Sequence, residues 1–151
     1  MVGYGGADTL NMTLKTGAVI KGPGKIIGVF DTTGVDLAVN SEIAIGISAG
    51  ASSRTAAGVL QTAAGATVSM IPLGGVQYVQ AKAGDAFNPG DLVYVDAAGL
   101  VTITATSRKI LGIFVGEPIA ATAALVLNGA GDATASEGEM IPIMTAGAAT
   151  A

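Results

Sequence analysis

Pro23-Gly24-Lys25-Ile26-Ile27 runs on through Val29 to Asp31-Thr32-Thr33-Gly34-Val35 and later reaches Ile45-Gly46-Ile47. Pro89-Gly90-Asp91-Leu92-Val93 runs on through Val95 to Asp96-Ala97-Ala98-Gly99-Leu100 and later reaches Leu111-Gly112-Ile113. The Pro-Gly and aliphatic-Gly-Ile elements recur at an offset of about 66 residues, and the Asp-x-x-Gly turn recurs after a slip of one. Loops and bulges tolerate such a slip. The chain therefore reads as a duplicated β unit. Each copy must bury its apolar face against its twin or against a neighbour, so the repeat speaks of architecture before chemistry.

Working outward, short apolar runs alternate with turn signals. Leu10, Met12 and Leu14 alternate with polar residues, as in an arm that ends in a strand. Lys25 to Phe30 and Glu42 to Ile47 read as buried strands. Val76 to Gln80, Leu92 to Val95, Leu100 to Thr104, Ile110 to Val115 and Ala123 to Leu127 read as five more. Ala49 to Ala66 has no counterpart in the second copy and reads as an insertion. Gly58, Val59 and Thr62 speak against a helix there and for a hairpin that pairs Gly58 to Gln61 with Thr67 to Ile71. Strand signals every ~8–12 residues predict an all-β fold, a small barrel or sandwich with little helix.

The expected organisation is an N-terminal arm over 1–14 and a duplicated β domain over 15–129, with copies at about 15–75 and 76–129. Residues 130–151 then hold a small polar linker, a last strand and a tail. In that last strand Glu139-Met140-Ile141-Pro142-Ile143 echoes Ser69-Met70-Ile71-Pro72-Leu73, and Pro142 predicts a sheet edge open to a neighbour.

Composition excludes several functions. The chain has 151 residues, enough for one domain with a real core. It has no Cys and no His, which removes disulfides, the Ser-His-Asp triad, the Cys-His pair and the common zinc sites. The net charge is −4 with seven thinly spread Lys and Arg, so no basic stripe exists to neutralise phosphates and direct nucleic-acid binding is not expected. No run approaches the ~18 apolar residues of a spanning helix, and Met1 to Gly6 lacks the basic start and apolar core of a secretory signal. Charged residues are 12% of the chain, against ~25% in ordinary soluble domains. A surface so rich in Ala, Gly, Ser and Thr suits a protein whose faces are covered in an assembly.

Remaining candidates for chemistry are few. Asp85, Asp91 and Asp96 cluster around the second Pro-Gly turn, yet they lie farther apart than calcium-loop ligands and read as solvated turn residues. Gly3 to Gly6 and Gly22 to Gly24 lack the strand, the Lys-Ser or Lys-Thr pair and the helix of a phosphate loop. No cofactor or metal is expected. Tyr4, Tyr78 and Tyr94 are the material for a sugar-stacking platform, though scattered aromatics of a β protein more often serve core or rim. No enzyme activity is expected; one would need a carboxylate pair ~5–10 Å apart across a cleft, as in glycosidases.

Three resemblances bear on the second copy. Ala83-Gly84-Asp85-Ala86-Phe87-Asn88-Pro89-Gly90-Asp91-Leu92-Val93 resembles the turn-and-strand pattern of lipoyl and biotinyl domains, but Lys82 and Lys109 lack the context of the modified lysine. The same stretch resembles β-clip domains, which need no cofactor. The longer series from Ala81-Lys82-Ala83-Gly84 through Asn88 to Asp96, Gly99-Leu100-Val101-Thr102, Ile110-Leu111-Gly112-Ile113 and Leu125-Val126-Leu127 is similar to bacteriophage capsid decoration proteins of the cement and head-fibre types. That resemblance covers roughly residues 76 to 129, and the first half departs from it by the inserted segment.

The resemblance implies a structural virion protein, made in the host cytoplasm, on the outer capsid surface. It implies a homotrimer that bridges neighbouring copies of the major capsid protein, each small contact gaining from avidity across the lattice. Partner contacts are then expected at the arm, with Tyr4, Leu10 and Met12, and at the last strand, with Met140, Ile141 and Ile143, both suited to β-augmentation. The second expectation, from the tyrosines, is a β-barrel module that binds surface glycans on a virion or cell.

Overall fold

The computed structural model describes residues 9–16, 18–20, 22–39, 42–49, 53–54, 60–61, 67–116 and 140–145. Twelve strands are found there: β1 Leu10–Thr13, β2 Ile26–Asp31, β3 Gly34–Leu37, β4 Gly46–Ser48, β5 Ser53–Arg54, β6 Leu60–Gln61, β7 Thr67–Pro72, β8 Gly75–Gln80, β9 Leu92–Asp96, β10 Leu100–Thr102, β11 Ile110–Phe114 and β12 Met140–Thr145. Helix among the described residues is limited to one 3-10 turn, Ala97–Gly99. The all-β expectation holds.

Two five-stranded antiparallel sheets carry the fold, ordered β1-β7-β4-β2-β3 and β10-β9-β11-β12-β8. Read from its own first strand, each has the same order, third-second-fourth-fifth-first, β5 and β6 standing apart as a small ribbon. Equivalent hydrogen bonds recur in the two. The N–H of Gly24 donates to the Ser48 carbonyl at 2.9 Å, and that of Gly90 donates to Phe114 at 2.9 Å. The Ser48 N–H returns to the Lys25 carbonyl and the Phe114 N–H to that of Asp91, at 2.8 and 2.9 Å. Gly24 and Gly90 share left-handed backbone, φ 82° and 93°, which is why the turn before this strand uses glycine in both places.

Each sheet also curls until its outer strands meet. Leu14 forms a parallel bridge with Val35, and Ala81 forms one with Val101. The next N–H seals each seam, Lys15 onto the Val35 carbonyl and Lys82 onto that of Val101, both at 2.9 Å. The result is two small barrel-like bodies.

The glycines of the aliphatic-Gly-Ile motif sit on the middle strand of each. A Cβ on Gly46 would stand 2.7 Å from the Ile71 carbonyl, and one on Gly112 would strike the Met144 carbonyl. Close strand approach therefore requires glycine there. The ladder between β9 and β11 slips by one residue just before Gly112, a bulge of the kind that bends a strand around a barrel.

Alternation distributes the core. Ile27 packs inside the first barrel with Leu14, Ile20, Val35 and Val68. Its neighbour Ile26 faces the other way and joins Ala38, Ala44 and Ile47 in the core of the second, with Val79, Phe87, Val93, Leu111, Phe114, Ile141 and Ile143. Successive strand residues point to opposite faces, so β2 serves both bodies. Backbone bonds add to the joint: Gln80 N–H to Gly24 and Gly99 N–H to Ala38, at 2.8 and 3.1 Å.

The strand expected at the end of the arm is β1, Leu10–Thr13, which pairs with Thr67 to Met70 in the first sheet. Two sequence expectations are corrected. Of the expected hairpin, Leu60–Gln61 does not pair with Thr67 to Ile71, because β6 pairs with β5 while β7 has β1 on one side and β4 on the other. Met140–Thr145 is not an edge but an inner strand between β11 and β8.

Pro142 is tolerated in that inner strand for a geometric reason. Its carbonyl accepts from Val115 N–H at 3.1 Å, on the β11 side, and in an antiparallel strand a residue's N–H and C=O point the same way. The absent N–H would therefore face the Val115 carbonyl, one residue past the end of β11, and no bond to Tyr78 opposite it is lost. Ala123 to Leu127, the linker and residues 146–151 lie outside the described residues.

Candidate interaction surface

The second sheet turns one face to the core and the other to solvent, and the solvent face is apolar. Val76 of β8 lies opposite Met144 of β12, Met144 opposite Ile113 of β11, and Ile113 opposite Leu92 of β9. These four are 57%, 47%, 38% and 47% exposed. A row of large hydrophobic side chains thus crosses four adjacent strands in direct register. A second row lies beside it, with the well-exposed Tyr78 opposite Pro142 and the Pro142 carbonyl bonded to Val115. Apolar side chains scattered singly on a surface need no account, but a contiguous patch of this kind marks a contact site.

Expected partner residues fall on both sides of this sheet. Ile141 and Ile143 are fully buried, held by strand alternation in the core, so neither side chain is offered to a partner; that expectation is corrected. Met144, one position on, is the exposed residue. Met140 is half-buried at the mouth of a groove between the sheets. Leu10 is exposed on β1, while Met12 is half-buried against the first core. Tyr4 lies outside the described residues.

Sequence reasoning missed the row of Val76, Leu92, Ile113 and Met144. The signal that finds it is strand parity: once Val79, Val93 and Ile143 are assigned inward, every second residue on those strands faces out.

The three acidic residues of the second turn region have separate structural tasks. Asp91 accepts from Asn88 N–H at 2.7 Å and closes the Pro-Gly turn. Asp85 accepts from the Thr102 hydroxyl and, at 3.1 Å, from Ile103 N–H. Asp96 is nearly buried, and one of its oxygens receives both Nε and Nη2 of Arg108, at 2.9 and 2.7 Å. Lys82 Nζ stands 3.4 Å from the other oxygen. Burial pushes the Asp96 carboxyl up, but the Arg108 hydrogen bond, the Ala97 N–H and the charges of Lys82 and Arg108 together hold it below its ordinary value. Among the described residues no three acidic groups converge as a metal site, and no helix is long and apolar enough to cross a membrane.

Residues 5–130 match the model of a protein family described as phage cement protein. No curated protein matches the chain.

Proposed function

The chain belongs to the phage cement protein family, a family of structural virion proteins, and from that premise we propose that it binds the outer surface of a phage head and bridges neighbouring copies of the major capsid protein. The observation that carries the reading beyond the family is the apolar row Val76-Met144-Ile113-Leu92 on an otherwise weakly charged protein. Clamping a shell requires many repeated contacts and no chemistry, and a modest apolar patch suffices when binding one lattice site holds the next within reach. Self-association as a trimer, and a second contact at Tyr4, Leu10 and Met12, belong to the same proposal.

Co-sedimentation of the purified chain with empty heads of the phage that encodes it tests the reading. Saturable binding that Met144→Lys weakens and that deletion of residues 2–8 weakens separately is the expected result. Sedimentation equilibrium of the free chain reads the trimer. Failure of the wild-type chain to bind heads would overturn the proposal.

A further inference from the structure

A groove of about 660 Å³ lies between the two barrel-like bodies, with Pro23, Ile47 and Ile71 on the side of the first and Val76, Tyr78 and Met140 on the side of the second. Among the described residues that line it, none is charged. Gln77 also lines it. That side chain is 8% exposed, its Nε2 donates to the Pro72 carbonyl at 2.6 Å, and its Oε1 is buried without a hydrogen-bond partner. A buried acceptor left unmade is costly, so the site is built for a donor.

Among the described residues, the strand beside it has unused backbone donors and acceptors. Among the described residues β8 is the last strand of its sheet, with β12 on its inner side. Gln80 N–H points away from β12, to the Gly24 carbonyl, and alternation turns the backbone groups of Tyr78 and Val76 the same way. The Tyr78 carbonyl already lies close to Gly24, since a Cβ there would stand 3.3 Å from it. Val76 N–H and C=O and the Tyr78 N–H therefore face the groove, next to Gly74 and Gly75, where a Cβ would meet nothing within 4 Å.

Resting on the cement reading, we propose that this groove takes an extended, uncharged segment of a capsid subunit, which adds as a strand to β8 at Val76 and Tyr78 and gives one N–H to Gln77 Oε1. An open strand edge, apolar walls and one fixed acceptor match an extended peptide. A glycan would need many polar side-chain partners, and the groove offers only Ser48, Gln77 and Tyr78.

Hydrogen–deuterium exchange of residues 75–80 in the full wild-type chain, free and bound to empty heads, is the test. Binding slows the Val76 and Tyr78 amides by about tenfold or more, the effect of closing one strand hydrogen bond. Tyr78→Pro removes the donor without touching the β12 ladder and weakens head binding by about tenfold. Tyr78→Val, which keeps the N–H, binds more tightly than the proline variant. Should Tyr78→Pro fail to fold, the wild-type exchange measurement decides alone. Wild-type chain that binds heads with 75–80 unprotected overturns this inference and leaves the cement reading standing; no head binding overturns both. Protection that rises with protein concentration in the absence of heads assigns the groove to a second copy and also overturns it.

Discussion

Val76 of β8 stands directly opposite Met144 of β12, and both side chains are about half exposed on the face that the second sheet turns away from its core. Close cross-strand pairs of this kind favour burial, yet here both side chains stay open to solvent. Met144→Lys should change the stability of the isolated chain by no more than about 0.5 kcal/mol, as for most surface substitutions. The same change should lower affinity for heads by about tenfold or more, because a charge would be desolvated at the contact. Parallel denaturant unfolding and head-binding curves check the two halves.

Arg108 and Asp96 form a nearly buried, forked ion pair that anchors the segment after β10. Removing the charge with Asp96→Asn should cost about 2 kcal/mol at pH 7, the value of hydrogen bonds to charged groups. The Asp96 carboxyl is held below its ordinary value of 3.8, so the unfolded chain takes up this proton first. Its stabilisation is present above that pH and is lost as the pH falls further, through the folded-state value. The gap between wild type and Asp96→Asn should thus narrow below about pH 4, which urea midpoints measured from pH 7 to 3 would show.

Gly112 and Met144 approach so closely that no Cβ fits between the β11 backbone and the Met144 carbonyl. Gly112→Ala should therefore destabilise by about 1–3 kcal/mol through forced separation of β11 and β12. Gly84→Ala meets nothing within 4 Å but occupies φ 88°, so its cost is conformational, about 1–2 kcal/mol. Amide exchange distinguishes them: the first speeds exchange along β11 and β12, the second only near its own turn.

Phe87 and Phe114 pack with ring centroids 5.5 Å apart at the centre of the second core. Phe114→Ala should cost about 3–5 kcal/mol, a large part of the stability of a domain this size. Phe114→Leu keeps most of the volume and should cost clearly less. Denaturant midpoints of the two variants give the comparison.

Much of this was legible from local pattern. Pro-Gly at 23–24 and 89–90 and Gly46 and Gly112 marked positions where the backbone alone constrains the residue, so the repeat survived in them. What failed were judgements about neighbours. Pro142 reads as an edge signal because proline lacks a donor, but its missing N–H happens to face beyond the end of β11. Thr67 to Ile71 reads as half of a local hairpin, but β1 and β4 occupy both of its sides.

The sequence by itself determined that the chain is all-β, that two similar β units share it, and that it lacks the His and Cys of triad, Cys-His and common zinc chemistry, since turn chemistry, strand period and composition are local properties. Only the tertiary structure decided which face of each strand is buried. Ile143 and Met144 are both apolar, and register alone sends the first into the core and the second to solvent. Strand pairing between residues as distant as Val76 and Met144 creates the apolar row, and no local signal records a partner that far along the chain.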